Sequence, residues 1–112
     1  MKTMLIEKGA KLWEAGDKKR VYLDRNMVNK IFGLKYSLYN SGKISSATYE
    51  GETISNSAAL KIIDATEKVY YDAIAEKFII QINWGSPAVR NQAANYERWL
   101  NKLSVEEIAQ KL

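Results

Sequence analysis

Two runs of β-branched and aromatic residues lie close together in the second half of the chain: Lys68-Val69-Tyr70-Tyr71-Asp72 and Lys77-Phe78-Ile79-Ile80-Gln81-Ile82. Only residues 73–76 separate them, which predicts a β-hairpin. Alternate side chains of the second run, from Phe78 onward, fall on one face and Ile79 falls on the other. We therefore expect an inner strand that is at least partly covered on both sides. This hairpin is predicted to form the middle of the sheet, with the rest of the chain folded around it.

The composition is that of a folded globular protein. The 112 residues include 17 Lys or Arg, 13 Asp or Glu, no Cys, no His and 46% hydrophobic residues. This length predicts a single domain, residues 1–112, with no need of a disulfide. Without Cys and His, the commonest zinc sites, cysteine nucleophiles and imidazole bases are excluded, and we expect no metal and no cofactor. No signal peptide or membrane-spanning run is recognisable, so we expect a cytoplasmic protein with no membrane part.

Helix signals occur at intervals along the chain. Apolar residues from Leu5 to Trp13 fall at helical spacing and predict a helix over residues 3–15, with Trp13 in the core. Asp24 and Gly33 are expected to begin and end a second helix. The other expected helix starts are serines in the N-cap position, namely Ser55 or Ser57, Ser86 before Pro87, and Ser104 in a capping box with Glu107.

Shorter β-rich runs alternate with these helices. They predict strands over residues 20–24, 34–39 and 44–49 in addition to the hairpin of residues 68–82. Two of these strands flank Asn40-Ser41-Gly42-Lys43, a strong turn signal. We therefore predict an α+β fold, with a mainly antiparallel sheet of about five strands packed by helices from both ends of the chain.

The polar residues do not form a catalytic pattern. Asp64 with Glu67, and Asp72 with Glu76, flank a predicted strand, where loop and helix-end roles explain them. The glycines are scattered singly and form no phosphate-binding loop. No base is available to activate a serine as a nucleophile. We therefore expect that the protein is not an enzyme.

Positive charge is concentrated near the N-terminus, because residues 1–30 hold eight Lys or Arg against four acidic residues. Arg and Tyr contribute strongly to protein interfaces, and basic residues beside aromatic rings on a sheet also hold single-stranded nucleic acid. Solubility alone is a further explanation of the charge. The candidate binding residues are Lys18, Lys19, Arg20, Tyr22, Arg25, Lys35, Tyr39, Lys43 and Tyr49.

Several short segments together resemble small uncharacterised accessory proteins of bacterial phages and mobile elements. They are Lys8-Gly9 with Leu12-Trp13-Glu14, Arg20-Val21-Tyr22, Ser41-Gly42 with Ile44-Ser45-Ser46-Ala47-Thr48, Gly51-Glu52 with Ile54-Ser55-Asn56, and Lys68-Val69-Tyr70-Tyr71-Asp72. The resemblance implies a compact non-enzymatic protein that docks on a host or defence protein, as anti-CRISPR inhibitors of defence nucleases do. The alternative is a nucleic-acid-binding module that uses the same residues. Either a monomer or a homodimer is compatible with the sequence.

Overall fold

The computed structural model describes residues 2–83 and 85–112. The elements, in chain order, are α1 (Lys2–Glu7), β1 (Lys11–Ala15), β2 (Lys18–Leu23), α2 (Arg25–Phe32), β3 (Leu34–Leu38), β4 (Ile44–Tyr49), β5 (Glu52–Ile54), α3 (Asn56–Ala65), β6 (Lys68–Asp72), β7 (Lys77–Gln81), α4 (Pro87–Lys102) and α5 (Val105–Gln110). The predicted α+β class is confirmed.

The strands form two antiparallel sheets. The larger sheet has the order β1-β2-β6-β7, and the smaller one has the order β3-β4-β5. The strands that were expected to share one sheet are divided because β2 pairs with β6, far away in sequence, instead of with the hairpin that follows it. The predicted hairpin of β6 and β7 is confirmed, but β6 is its inner strand and β7 lies at the edge of the sheet.

The N-terminal prediction of one long helix was wrong beyond Glu7. The helix α1 ends there, and Gly9 adopts a φ of 113°, in a region that favours glycine. The chain then forms a tight hairpin of β1 and β2 around Gly16 and Asp17, with Gly16 at a φ of 60°. Glycine at the first position of a two-residue loop is typical of such hairpins. Trp13 is consequently a strand residue, 42% exposed, and does not lie in the core.

The predicted caps of the later helices are confirmed. The carboxylate of Asp24 accepts a hydrogen bond from the amide of Met27 at 2.9 Å, and Gly33 ends α2 with a left-handed φ of 72°. Ser55 begins α3 and Ser86 begins α4 with Pro87 in its first turn. The capping box of Ser104 and Glu107 is present at the start of α5. Local side-chain chemistry therefore sets the start of four of the helices.

The main core lies between the helices and one face of the larger sheet. Alternate strand residues, such as Val21, Val69 and Phe78, pack there against helix residues, such as Leu100 and Ile108. A smaller core forms where α3 covers the smaller sheet, and it contains Leu34, Ile44, Ala47, Ala59 and Ile62. No helix in the described part of the chain is long and apolar enough to cross a membrane.

Side chains of α4 cover the β7 edge of the larger sheet. The side chain of Asn101 accepts a hydrogen bond from the amide of Phe78 at 2.7 Å and donates one to its carbonyl at 2.9 Å. The carboxylate of Glu97 accepts one from the amide of Ile80 at 3.1 Å. These contacts satisfy backbone groups that an edge strand would otherwise present to another chain.

Candidate functional site

The face of the larger sheet that points away from the helices carries the candidate site, and we call it the outer face. In the register of the sheet it consists of the side chains that alternate with those of the core. Its members are Lys11, Trp13 and Ala15 of β1, Lys18, Arg20 and Tyr22 of β2, Lys68, Tyr70 and Asp72 of β6, and Lys77, Ile79 and Gln81 of β7.

Arg20 lies at the centre of an aromatic cluster on this face. Its guanidinium carbon is 4.7 Å from the centroid of the Tyr70 ring and 5.3 Å from that of Trp13. Its Nη1 donates a hydrogen bond to the hydroxyl of Tyr22 at 3.1 Å. These contacts are cation–π interactions combined with a hydrogen bond, and they favour this orientation of the guanidinium. We call Trp13, Arg20, Tyr22 and Tyr70 the Arg20 cluster.

The aromatic rings of the cluster also contact one another. The centroids of Tyr22 and Tyr70 are 5.1 Å apart with tilted planes, and Trp13 meets Tyr22 edge-on at 6.4 Å. Tyr70 is only 5% exposed although it belongs to the outer face and to neither hydrophobic core. The cluster is therefore a small packed layer of its own, with Tyr70 beneath the other side chains.

Ionisation in the cluster reflects these contacts. The hydrogen bond with Tyr22 is the main cause that raises the pKa of Arg20, and the carboxylate of Asp72 contributes in the same direction. Burial raises the pKa of Tyr70, although the nearby charge of Arg20 acts in the opposite direction. Arg20 therefore keeps its positive charge and Tyr70 stays neutral in ordinary conditions.

The rim of the outer face is mostly positive. The exposed lysines are Lys11, Lys18, Lys68 and Lys77, and the acidic residue among them is Asp72. The ammonium group of Lys68 lies 5.8 Å from the centroid of the Tyr22 ring. A positive rim around a packed aromatic centre suits a partner whose contact surface carries negative charge.

The structure brings only three of the sequence-predicted binding residues together on the outer face: Lys18, Arg20 and Tyr22. Lys19 is exposed, but the alternation of β2 directs it to the opposite face. Lys35, Tyr39 and Lys43 belong to the first hairpin of the smaller sheet, where Tyr39 is 61% exposed and its amide donates to the carbonyl of Lys43 at 2.8 Å.

Arg25 has a structural role instead of the free surface position expected from the sequence. Its guanidinium donates to the carbonyls of Thr66 at 2.8 Å and Ile63 at 3.2 Å, and to the Thr66 hydroxyl at 3.0 Å. These acceptors lie at the C-terminal end of α3, where the carbonyl of Ile63 also accepts a hydrogen bond from the amide of Thr66 at 3.2 Å. Burial lowers the pKa of Arg25. The residue therefore joins the start of α2 to the end of α3.

Tyr49 is also occupied within the fold. It is half-buried and packs against both hydrophobic cores, as does Tyr96 of α4. Burial raises the pKa of Tyr49 to about 12, with smaller contributions from Tyr96 and Glu50. Tyr49 therefore belongs to the contact between the two sheets and not to a shared basic face.

Two other surface depressions have a polar lining. One, of about 530 Å³, contains Lys30, Lys35 and Lys111 among its lining residues, and another, of about 440 Å³, contains Asp64 and Glu67.

Within the described residues, no group of three Asp or Glu side chains is arranged to hold a metal ion.

Sequence reasoning missed Trp13, Lys68 and Tyr70 as site residues. Trp13 was assigned to a helix, and the other two were treated as part of the scaffold. A signal was available for Trp13, because residues 11–15 followed by Gly16-Asp17 and a second β-rich run also match a two-residue hairpin. Nothing in the sequence indicates that β2 pairs with β6, which is what brings Tyr70 beside Arg20.

Comparisons with known proteins give no relative. No protein-family model matches the chain, and neither the curated proteins nor the solved structures contain a significant match.

Proposed function

We propose that the protein is a non-enzymatic binding protein whose outer face docks on a partner protein. The observation that carries this proposal is the position of Arg20 between the rings of Trp13 and Tyr70 on the outer face, where the other strand residues are exposed or half-buried. Trp, Tyr and Arg are the residues that contribute most to binding energy at protein interfaces. The Arg20 cluster combines all three, with Trp13 exposed, Arg20 and Tyr22 half-buried and Tyr70 beneath them.

The packing of the cluster favours a protein partner. The guanidinium of Arg20 already occupies a face of Trp13 and a face of Tyr70, and the rings are tilted or edge-on to one another. Bases stack on flat ring faces that are free. Here, one face each of Trp13 and Tyr70 is already in contact with Arg20. The same contacts fix the side chains before binding, which lowers the conformational entropy that association costs.

The charge of the rim favours a partner with an acidic contact surface. Lys68 and Lys77 lie on the face beside the cluster, and Lys18 lies at its end near the turn. Such charges increase the rate of association and select against basic partners. If the partner is a defence nuclease, as the resemblance to phage accessory proteins suggests, an acidic region such as its metal-binding carboxylates fits this face better than its basic nucleic-acid channel.

The test compares two double variants in affinity capture from a lysate of the cells in which the protein occurs. Arg20→Ala with Tyr22→Ala removes the centre of the cluster, and Tyr39→Ala with Lys43→Ala removes exposed residues of the same types from the other sheet. We expect a partner that binds the wild type and the second variant but not the first. Equal capture by all three proteins would contradict the proposed face.

Binding of single-stranded nucleic acid is the second candidate, because the outer face places Lys11, Lys18, Arg20, Lys68 and Lys77 around aromatic rings with one carboxylate among them. Fluorescence anisotropy with labelled DNA and RNA at about 50 and 200 mM salt separates the candidates, because phosphate contacts lose most of their affinity over this range. Binding at the higher salt that is lost in the Arg20 and Tyr22 variant would favour nucleic acid over protein.

A further inference from the structure

The larger sheet has one covered edge and one open edge. Side chains of α4 cover β7, whereas β1, among the described residues, pairs with β2 alone and all of its residues are exposed. Leu12 and Trp13, on opposite faces of β1, are each 42% exposed. An open edge with large apolar side chains is a site where another strand can pair.

The backbone groups available on β1 follow from its turn. Gly16 and Asp17 form the loop, so Ala15 and Lys18 are the pair that closes the hairpin, and hydrogen-bonded pairs alternate with non-hydrogen-bonded pairs from there. The backbone groups that bond to β2 are therefore those of Lys11, Trp13 and Ala15. The amide and carbonyl groups of Leu12 and Glu14 point away from the sheet.

We propose that the β1 edge pairs with the β1 edge of a second copy of this chain, antiparallel, about a twofold axis at Trp13. In this register, Leu12 of each copy lies opposite Glu14 of the other, and each of these pairs exchanges both backbone hydrogen bonds. The pairing joins two sheets into one, and the two Arg20 clusters then lie on one continuous outer face.

The side chains favour this register over its neighbours. The two Trp13 rings lie opposite each other at a closely spaced, non-hydrogen-bonded position, and Lys11 lies opposite Ala15, so no like charges are directly opposed. If the two β1 strands were displaced by two residues toward the turn, the two Glu14 carboxylates would lie directly opposite each other. A shift of two residues in either direction would also leave two of the five residues of β1 unpaired. Each Glu14 also has Lys19 of its own chain as its cross-strand neighbour.

The dimer is expected to depend on protein concentration. The strand β1 has only five residues. We expect the area that it buries in the dimer to be smaller than the roughly 1,000 Å² of a stable interface. We therefore expect monomers in dilute solution and a growing fraction of dimers as the concentration rises.

Disulfide trapping tests the register directly, because the natural chain has no Cys. Lys11→Cys and Ala15→Cys proteins are prepared separately and mixed under mild oxidation. Opposed non-hydrogen-bonded residues have Cα atoms about 4.5 Å apart, which lies within the range that a disulfide spans. We expect a mixed disulfide between the two proteins, and much slower linkage within either one alone. Ala75→Cys, in an exposed turn, is the control for random collision. Mixed linkage no faster than with this control would overturn the proposal.

Sedimentation equilibrium gives a second readout that needs no cysteine. We expect the wild-type mass to rise from 12.8 kDa toward twice that value with concentration. Glu14→Pro removes an outward amide that the monomer does not use, and proline is tolerated at such edge positions. We expect this variant to stay monomeric with an unchanged melting temperature. A wild type that stays monomeric throughout, or a dimer that persists in a folded Glu14→Pro protein, would contradict pairing at β1.

Discussion

Arg20 and Tyr70 stack across two neighbouring strands, with the guanidinium carbon 4.7 Å from the centroid of the ring. The two residues come from β2 and β6, which are separated in sequence by α2, the smaller sheet and α3. Tyr70 is 5% exposed on the outer face, where the other strand residues are exposed or half-buried. Arg20, which lies over the Tyr70 ring and is half-buried, is therefore already arranged for contact with a partner.

Removing the centre of the cluster is expected to affect binding far more than folding. Arg20→Ala with Tyr22→Ala deletes the side chains above Tyr70 but leaves both hydrophobic cores intact. We expect partner binding to be lost and the melting temperature to fall by only a few degrees. Calorimetric unfolding and affinity capture measure the two effects on the same samples. A large loss of stability would assign these residues to the fold.

Arg25→Ala is expected to show the opposite behaviour. The substitution leaves the carbonyls of Ile63 and Thr66 without their charged donor, and hydrogen bonds to charged groups contribute about 1.5–3 kcal/mol. We expect the free energy of unfolding, measured in urea, to fall by about 2 kcal/mol, with partner binding by the folded protein unchanged. Lys30→Ala, an exposed change on the same helix, is the matched control and is expected to stay within about 0.5 kcal/mol.

Asn101→Ala is expected to destabilise the protein and to open its covered sheet edge. The variant leaves the amide and carbonyl of Phe78 without their side-chain partner, and each unsatisfied buried group costs about 1–3 kcal/mol. We expect a lower melting temperature together with increased light scattering on storage, since an exposed edge promotes association. Lys102→Ala at the neighbouring position is the control. Unchanged stability and scattering would show that α4 does not protect this edge.

Alkaline pH is expected to weaken the fold through Tyr49. Its folded-state pKa of about 12 lies above its ordinary value of 10.0, so the folded protein holds this proton more tightly than the unfolded chain does. The associated stability is complete below pH 10 and is lost as the pH rises toward 12. We expect Tyr49→Phe to show a smaller decline over this interval in urea unfolding. An identical decline in both proteins would assign the effect to other tyrosines, such as Tyr70 and Tyr71, whose pKa values burial also raises.

The parts of the fold that sequence reasoning predicted correctly depend on local chemistry. The caps at Asp24, Ser86 and Ser104 act within a single turn of helix, and the β-rich runs of the β6–β7 hairpin pair across a short loop. Residues 11–15 were assigned wrongly because a segment of five residues satisfies both the helical and the alternating pattern. Residues 11–15 form a strand because they pair with β2. The intrinsic preference of the residues for helix or strand does not show which segments pair.

The candidate site was harder to predict than the elements that hold it. Arg20 and Tyr22 stand two residues apart on one strand, so their shared face follows from alternation. Tyr70 lies beside them only because β2 pairs with β6. Arg25 is not part of the site, because its guanidinium binds carbonyl groups at the end of α3. Such non-local contacts depend on how the whole chain packs. A list of basic and aromatic residues therefore could not separate surface residues from structural ones.

The most direct test of the outer face is site-specific photo-crosslinking in the cells where the protein occurs. A photoreactive amino acid replaces Lys68, which lies beside Tyr22 on the outer face, or Lys43, which lies on the hairpin of the smaller sheet. We expect one protein to be linked from position 68 and absent from position 43, and its linkage to disappear when Arg20 and Tyr22 are also replaced by Ala. Equal linkage from both positions, or nucleic acid as the product linked from position 68, would contradict a protein-docking outer face.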